Sequence, residues 1–135
     1  MNAKEFLKRY AAGARDFSGV NLEGAILKEV ILTGVNLSYA SLKETNLEKA
    51  NLEKVTLTGA NLEKAVMTDV ELNNVTLEEA NLTGAELDDV HIKGGNLFKA
   101  ILTNAKLHKV FSQEISLEEA DLTGAELDDV HIKGG

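Results

Sequence analysis

A chain of 135 residues with 44% hydrophobic content is long enough to bury a core, but only 4% is aromatic and there is no Trp, so that core is built from small aliphatic groups. The absence of cysteine excludes disulfides, thiolate metal sites and cysteine nucleophiles together. A net charge of −8, from 22 acidic against 14 basic residues, opposes general binding to nucleic acid or to anionic membrane and leaves basic partners open.

The opening stretch MNAKEFLKRYAAGARDF lacks the apolar core of a signal peptide. No run in the chain approaches the roughly 20 apolar residues of a membrane span, so the expectation is a soluble, cytoplasmic protein. Phe6, Leu7, Tyr10 and Ala11 fall at helical spacing. Residues 1–15 are therefore predicted as a short helix with one apolar face, rather than as a frayed tail.

From residue 16 to residue 135 a period of five takes over. Every fifth residue from Phe17 to Ile132 gives 24 positions, of which 23 are large and apolar and 19 are Leu. Two residues before each of the next 23 sits a small one, 11 Ala and 9 Val, with Thr45, Gly95 and Ile115 departing. The remaining places are mostly Asn, Asp, Glu, Lys, Thr, Ser and Gly. A helix would scatter such a stripe, since five steps of about 100° come to roughly 500°. A flat strand would send alternate Leu residues to opposite faces. The period demands a chain that repeats one short extended step and one corner, with the large and the small residue both pointing inward.

Tandem units such as ANLEK at 50–54 and 60–64, ANLTG at 80–84 and ADLTG at 120–124 resemble the pentapeptide-repeat family, and the likeness covers residues 16–135. The resemblance implies an all-β fold, a right-handed quadrilateral parallel β-helix with four pentapeptides per square coil and about six coils. The opening helix is similar to the cap of small bacterial members, cyanobacterial ones in particular, in which Phe6, Leu7 and Tyr10 would cover the first coil.

With four units per coil, residues twenty apart are stacked neighbours about 4.8 Å from each other. The block TLEEANLTGAELDDVHIKGG at 76–95 returns almost unchanged at 116–135, two coils on, with the more basic coil 96–115 between. Reading by twenties stacks Glu86–Lys106–Glu126, Asp88–His108–Asp128 and Asp89–Lys109–Asp129, and on another face Glu79–Lys99–Glu119. These columns are read as a structural charge ladder that sets coil register, each exposed pair being worth about 0–1 kcal/mol, and not as a metal or acid–base site. His91 and His131 lie two coils apart, too far to share one metal.

One unit breaks the pattern. In KVFSQEI, residues 109–115, Ser112 takes a core position and Phe111 an outward one. Burying the ring would gain about 2 kcal/mol, so a local distortion that brings Phe111 inside is expected over an exposed ring.

No motif for chemistry stands out. The glycines of HIKGG lack the strand–loop–helix setting of a phosphate loop. The expectation is a non-enzymatic protein without a cofactor, a rigid acidic prism that acts as a structural or interaction module for a protein partner, and that binds neither nucleic acid nor membrane. The alternative is a DNA-mimicking inhibitor or protector of a type II topoisomerase, an activity that the resemblance implies for some members. Six coils span about 29 Å, over which duplex DNA carries about 17 charges; −8 interleaved with lysines falls short of that. The pattern shows no insertion loop and no apolar helix after the last coil. End-to-end association of copies through that coil is expected, since its Leu122 and Leu127 layer would otherwise stay open.

Overall fold

The computed structural model describes residues 1–134. One helix, α1 (Ala3–Ala11), precedes a parallel β-helix whose regular strands are β1 (Val66–Thr68), β2 (Glu86–Lys93), β3 (Lys106–Gln113) and β4 (Glu126–Lys133), paired in the order β1-β2-β3-β4. Continuous strand pairing thus covers about three turns. Elsewhere the coils are joined by isolated parallel bridges in the same register, as in Asp16↔Asn36, Asn36↔Thr56, Thr56↔Thr76, Thr76↔Asn96 and Asn96↔Ser116. All pairing has a step of twenty residues, so the four-unit coil read from the repeat is the observed one.

The repeat unit explains itself locally. Where an Asn or Asp stands ahead of the core residue, its side chain folds back onto the backbone two residues on. Asn46, Asn61 and Asn81 accept from the N–H of Glu48, Glu63 and Thr83 at 3.0 Å, and Asp121 accepts from Thr123 at 2.9 Å. These Asx turns shape the corner that follows in those units. Two residues after each Leu the backbone enters the left-handed region, and many of those residues are not glycine: Lys54 and Lys64 have φ of 60° and 58°. Sterically such a residue costs about 1 kcal/mol, which ladder hydrogen bonds at the corner help to offset, as at Lys54 N–H to Asn73 O, 3.0 Å, and Lys64 N–H to Thr83 O, 2.9 Å. At Gly59 glycine also makes room for the Tyr39 ring that lies over it, since a Cβ there would stand 2.5 Å from the ring and push it aside.

Inward-pointing residues fill the prism. The large series from Phe17 to Leu107 is buried throughout, Ser112 included. Thr45 answers its burial by donating its hydroxyl to the carbonyl of Leu42 at 2.7 Å. Gly95 and Ile115 are complementary departures: a Cβ at 95 would meet the Ile92 Cγ2 at 2.7 Å, and the Ile115 Cγ2 lies 3.7 Å away, filling the room that glycine leaves.

Helix α1 closes the first coil. Asn2 caps it by accepting from the Glu5 N–H at 2.8 Å, and Glu5 pairs with Arg9 at 2.9 Å one turn on. Phe6 is fully buried and meets Phe17 edge to face, with centroids 4.6 Å apart. Leu7 and Tyr10 are partly buried against the same core. Tyr10 also accepts from the Thr33 N–H through its hydroxyl at 3.2 Å, and Arg15 stacks over its ring at 4.0 Å. No helix among the described residues is long and apolar enough to cross a membrane.

Candidate functional site

The side chains with chemical character lie on the outside, over β1–β4, where strand pairing arranges them in columns and, in β2–β4, continues across a corner. The register stacks Glu86 on Lys106 and Lys106 on Glu126, and likewise Asp88, His108 and Asp128. Asp89, Lys109 and Asp129 follow at the corner, all three with positive φ, at 58°, 53° and 56°. Stacking in register does not make every pair an ion pair. His108 closes onto Asp128, Nδ1 to Oδ2 at 2.8 Å, and Lys99 reaches Glu119 at 4.0 Å. Among the described residues the Glu86–Lys106–Glu126 and Asp89–Lys109–Asp129 columns close no such contact, because each lysine stem is free to carry its head into solvent.

Asp69, which the repeat places one coil below Asp89, adds a like charge that the reading by twenties did not include. The hydrogen bond between the Asp69 and Asp89 carboxyls raises the Asp69 pKa above the usual carboxylate value; some desolvation and the charge of Asp89 push the same way. Because the folded chain holds that proton more tightly than the unfolded chain, the contact favours folding at low pH. That contribution is lost as pH rises through the raised value, and at neutral pH two like charges are left side by side. Asp121 behaves oppositely: hydrogen bonds from the Thr123 hydroxyl and N–H lower its pKa, so its contribution is present at neutral pH and lost on acidification. Asp69→Asn keeps a donor for Asp89 and removes one charge. Its melting temperature is expected to exceed that of the parent at pH 7 and to match it at pH 3. Equal melting at pH 7 would show that solvent already screens the pair.

On the next face the expected distortion at residues 109–115 does not occur. Phe111 pairs in register with His91 and His131, and Ser112 with Ile92 and Ile132. The ring stays outside, 39% exposed, and Ser112 is buried in its place. Two features make this arrangement hold. Moving Phe111 inward would shift the register by one residue and turn its neighbours over to the wrong face. The ring also finds partial cover outside, between His91, tilted by 32° at 5.6 Å, and His131, stacked on it at 5.3 Å. Each histidine turns an Nε2 towards the aspartate two residues before it, Asp89 at 3.6 Å and Asp129 at 2.8 Å. Beside this column runs a second one, Asn73, Lys93, Gln113 and Lys133, and the two flank an open groove of about 770 Å³. Among the described residues no group of three or more His, Asp or Glu side chains converges as metal ligands would.

The comparisons agree with this architecture. The family described as "Pentapeptide repeat region" matches residues 15–82, and "Pentapeptide repeats (8 copies)" matches residues 65–104 and 100–134. No curated protein matches the chain. Among solved structures, the chain is similar to the pentapeptide repeat protein Rfr23 from the cyanobacterium Cyanothece 51142, at 27% identity and TM-score 0.61 over 96% of this chain and 99% of that one. HetL from the cyanobacterium Nostoc sp. strain PCC 7120, involved in heterocyst differentiation regulation, aligns at 24% identity and TM-score 0.57 over 97% and 94% of the two chains. QnrB1, a plasmid-mediated fluoroquinolone resistance protein, aligns at 12% identity and TM-score 0.64 over 82% and 68%; these last two likenesses concern the fold. With a five-residue period, a twenty-residue stacking step and family matches that together run from residue 15 to residue 134, the chain belongs to the pentapeptide-repeat family.

Proposed function

We propose that this chain is a non-enzymatic interaction module whose partner is another protein. The observation that carries the reading is the exposed column over β2–β4, in which Phe111 is held outside between His91 and His131 with Lys93, Gln113 and Lys133 alongside. An exposed ring in a broad, open groove suits a macromolecular surface better than a small substrate, which needs enclosure. Aromatic side chains are enriched in the buried centres of protein interfaces. The scaffold beneath is fixed by ladder hydrogen bonds, as at Glu114 N–H to Lys133 O, 2.9 Å, and Gly94 N–H to Gln113 O, 2.9 Å. A partner would therefore meet a preformed surface and lose little of its affinity to ordering.

The immobilised chain is expected to retain from a lysate of its source organism a protein that Phe111→Ser does not retain, while the two forms melt alike. Retention that is equal for both forms would remove Phe111 from the binding surface, and no retained protein at low salt would count against the module itself.

A second reading, DNA mimicry toward a type II topoisomerase, draws on the acidic positions Asp69, Asp88, Asp89, Asp128 and Asp129 along one edge and on a fold shared with the fluoroquinolone resistance protein QnrB1. Inhibition of gyrase supercoiling at low micromolar concentration would support it, and unchanged supercoiling would leave the protein-partner reading alone.

A further inference from the structure

The groove beside Phe111 is basic, although the chain that carries it has a net charge of −8. Of the charged groups that line it, Glu71 is acidic and Lys93 and Lys133 are basic, which leaves a positive surplus with both imidazoles neutral. Glu71 stands at the lower end, where its carboxylate accepts from the Asn73 amide at 3.5 Å. Asp89 and Asp129 face the Nε2 atoms of His91 and His131, and Glu114 follows Gln113 at the next corner; none of these three acids lines the groove. Among the described residues neither Lys93 nor Lys133 forms an ion pair. His91, Lys93, Phe111 and Gln113 are all exposed. They point away from the prism axis, so their exposure belongs to the face and not to either end of the solenoid.

The spacing of these groups selects the shape of a ligand. Lys93 and Lys133 are two coils apart in one column, about 9.6 Å along the prism, with the uncharged Gln113 between them. Phe111 lies level with Gln113, two residues to the side on the same strand. A helix lying along the prism presents residues seven apart on one face with a rise of about 10.5 Å, close to the lysine spacing. Residues three or four from each of them fall beside that line, where they reach an aromatic ring. An extended segment fits worse. Its side chains three apart span about 10 Å but point to opposite faces, and those two apart span only about 6.6 Å.

We propose that the occupant of this groove is an acidic amphipathic helix of a partner protein, lying along the prism. Carboxylates seven residues apart meet Lys93 and Lys133, and an apolar side chain between them packs on Phe111. The inference rests on reading the Phe111 column as an interaction surface, and it adds the chemistry of the partner. Charge sign makes it specific. The field of the whole chain draws basic ligands, so an acidic one has reason to settle only where lysines stand without acidic partners. The ring supplies the apolar anchor that charge alone lacks, since exposed ion pairs are each worth little.

Selection of a displayed library of random peptides, each about four helical turns long, on the immobilised chain 1–135 tests the proposal. The expected binders are acidic, with two carboxylates seven residues apart and an aliphatic or aromatic residue between them. Synthetic copies are expected to gain helical circular dichroism on binding. They are expected to lose about fivefold in affinity to Lys93→Glu and to Lys133→Glu, and at least as much to Phe111→Ser. Exchanging the peptide's carboxylates for lysines is expected to restore binding to the Lys93→Glu/Lys133→Glu double variant. Melting curves for each form separate weakened binding from a disturbed fold. Binders that are basic or uncharged overturn the proposal, as does a library without a binder below about 100 μM. So does an affinity indifferent to both lysine reversals. A lysate protein retained by the parent and by both lysine variants, but not by Phe111→Ser, overturns the acidic helix while the interaction surface stands.

Discussion

Phe6→Ala is expected to cost the folded chain about 3–5 kcal/mol, the range for deleting a fully buried aromatic ring. Phe6 is the deepest part of the cap, edge to face with Phe17 at 4.6 Å, and it has no exposed surface at all. Loss of the ring opens the first coil to water along Phe17 and Leu22, both buried in the intact chain. In a solenoid each coil contacts only its neighbours, so the damage should be local before it is global. Hydrogen exchange is the sharper measurement. The Leu22 N–H, bonded to the Ser41 carbonyl at 2.8 Å, should lose protection, while the Leu82 N–H, bonded to Ile101 at 2.6 Å, keeps most of it. Uniform loss of protection along the prism would show that the cap is coupled to the whole fold. Unchanged protection at Leu22 would show that α1 decorates the first coil and does not seal it.

Ser112→Leu is expected to move stability the other way, by about 1–2 kcal/mol. Nineteen of the 24 core positions are already Leu, and Ser112 is one of the residues lining an apolar cavity of about 50 Å³ inside the last coils, together with Ile92, Leu107, Ile115 and Ile132. Burying a Leu side chain gains about 1.5–3 kcal/mol, from which fixing its rotamer removes about 0.5–1 kcal/mol. The serine hydroxyl is partnered, donating to the His131 carbonyl at 3.3 Å, so the substitution also gives up one long hydrogen bond. Chemical denaturation of both forms measures the difference. A less stable variant would mean that the coil cannot admit the branched side chain without displacing Phe111 from its stack, since the two residues are adjacent and face opposite ways.

Much of this molecule is legible in its sequence because the repeat is short and one-dimensional. A period of five with Leu and Ala or Val two apart admits one kind of chain, and a coil of four units then fixes every vertical neighbour. That is why Asp88 could be set beside His108 and Asp128 from the numbers alone. Phe6, Leu7 and Tyr10 could be placed in a helix from their spacing alone, since a helix needs only local pattern and a cap, here Asn2.

What the tertiary structure decided are the places where two comparable energies compete. The outward stay of Phe111 depended on weighing the burial of one ring against the register of its whole strand. The stacking partners His91 and His131 come from coils on either side, and they tipped that balance. Whether a stacked pair closes into an ion pair rests on the rotamers of exposed side chains, worth tenths of a kcal/mol each. His108 therefore meets Asp128 while Lys106 and Lys109 meet neither acidic neighbour among the described residues. The neighbouring Asp89 carboxyl raises the Asp69 pKa, a like-charge effect between adjacent coils that depends on which acids the register stacks. The sequence by itself determined the coil, its register and its inward face, because hydrophobic periodicity is repeated 24 times and outweighs any single residue. The structure decided the exposed aromatic column and which stacked charges close into pairs, because each depends on contacts between neighbouring coils that no one repeat contains.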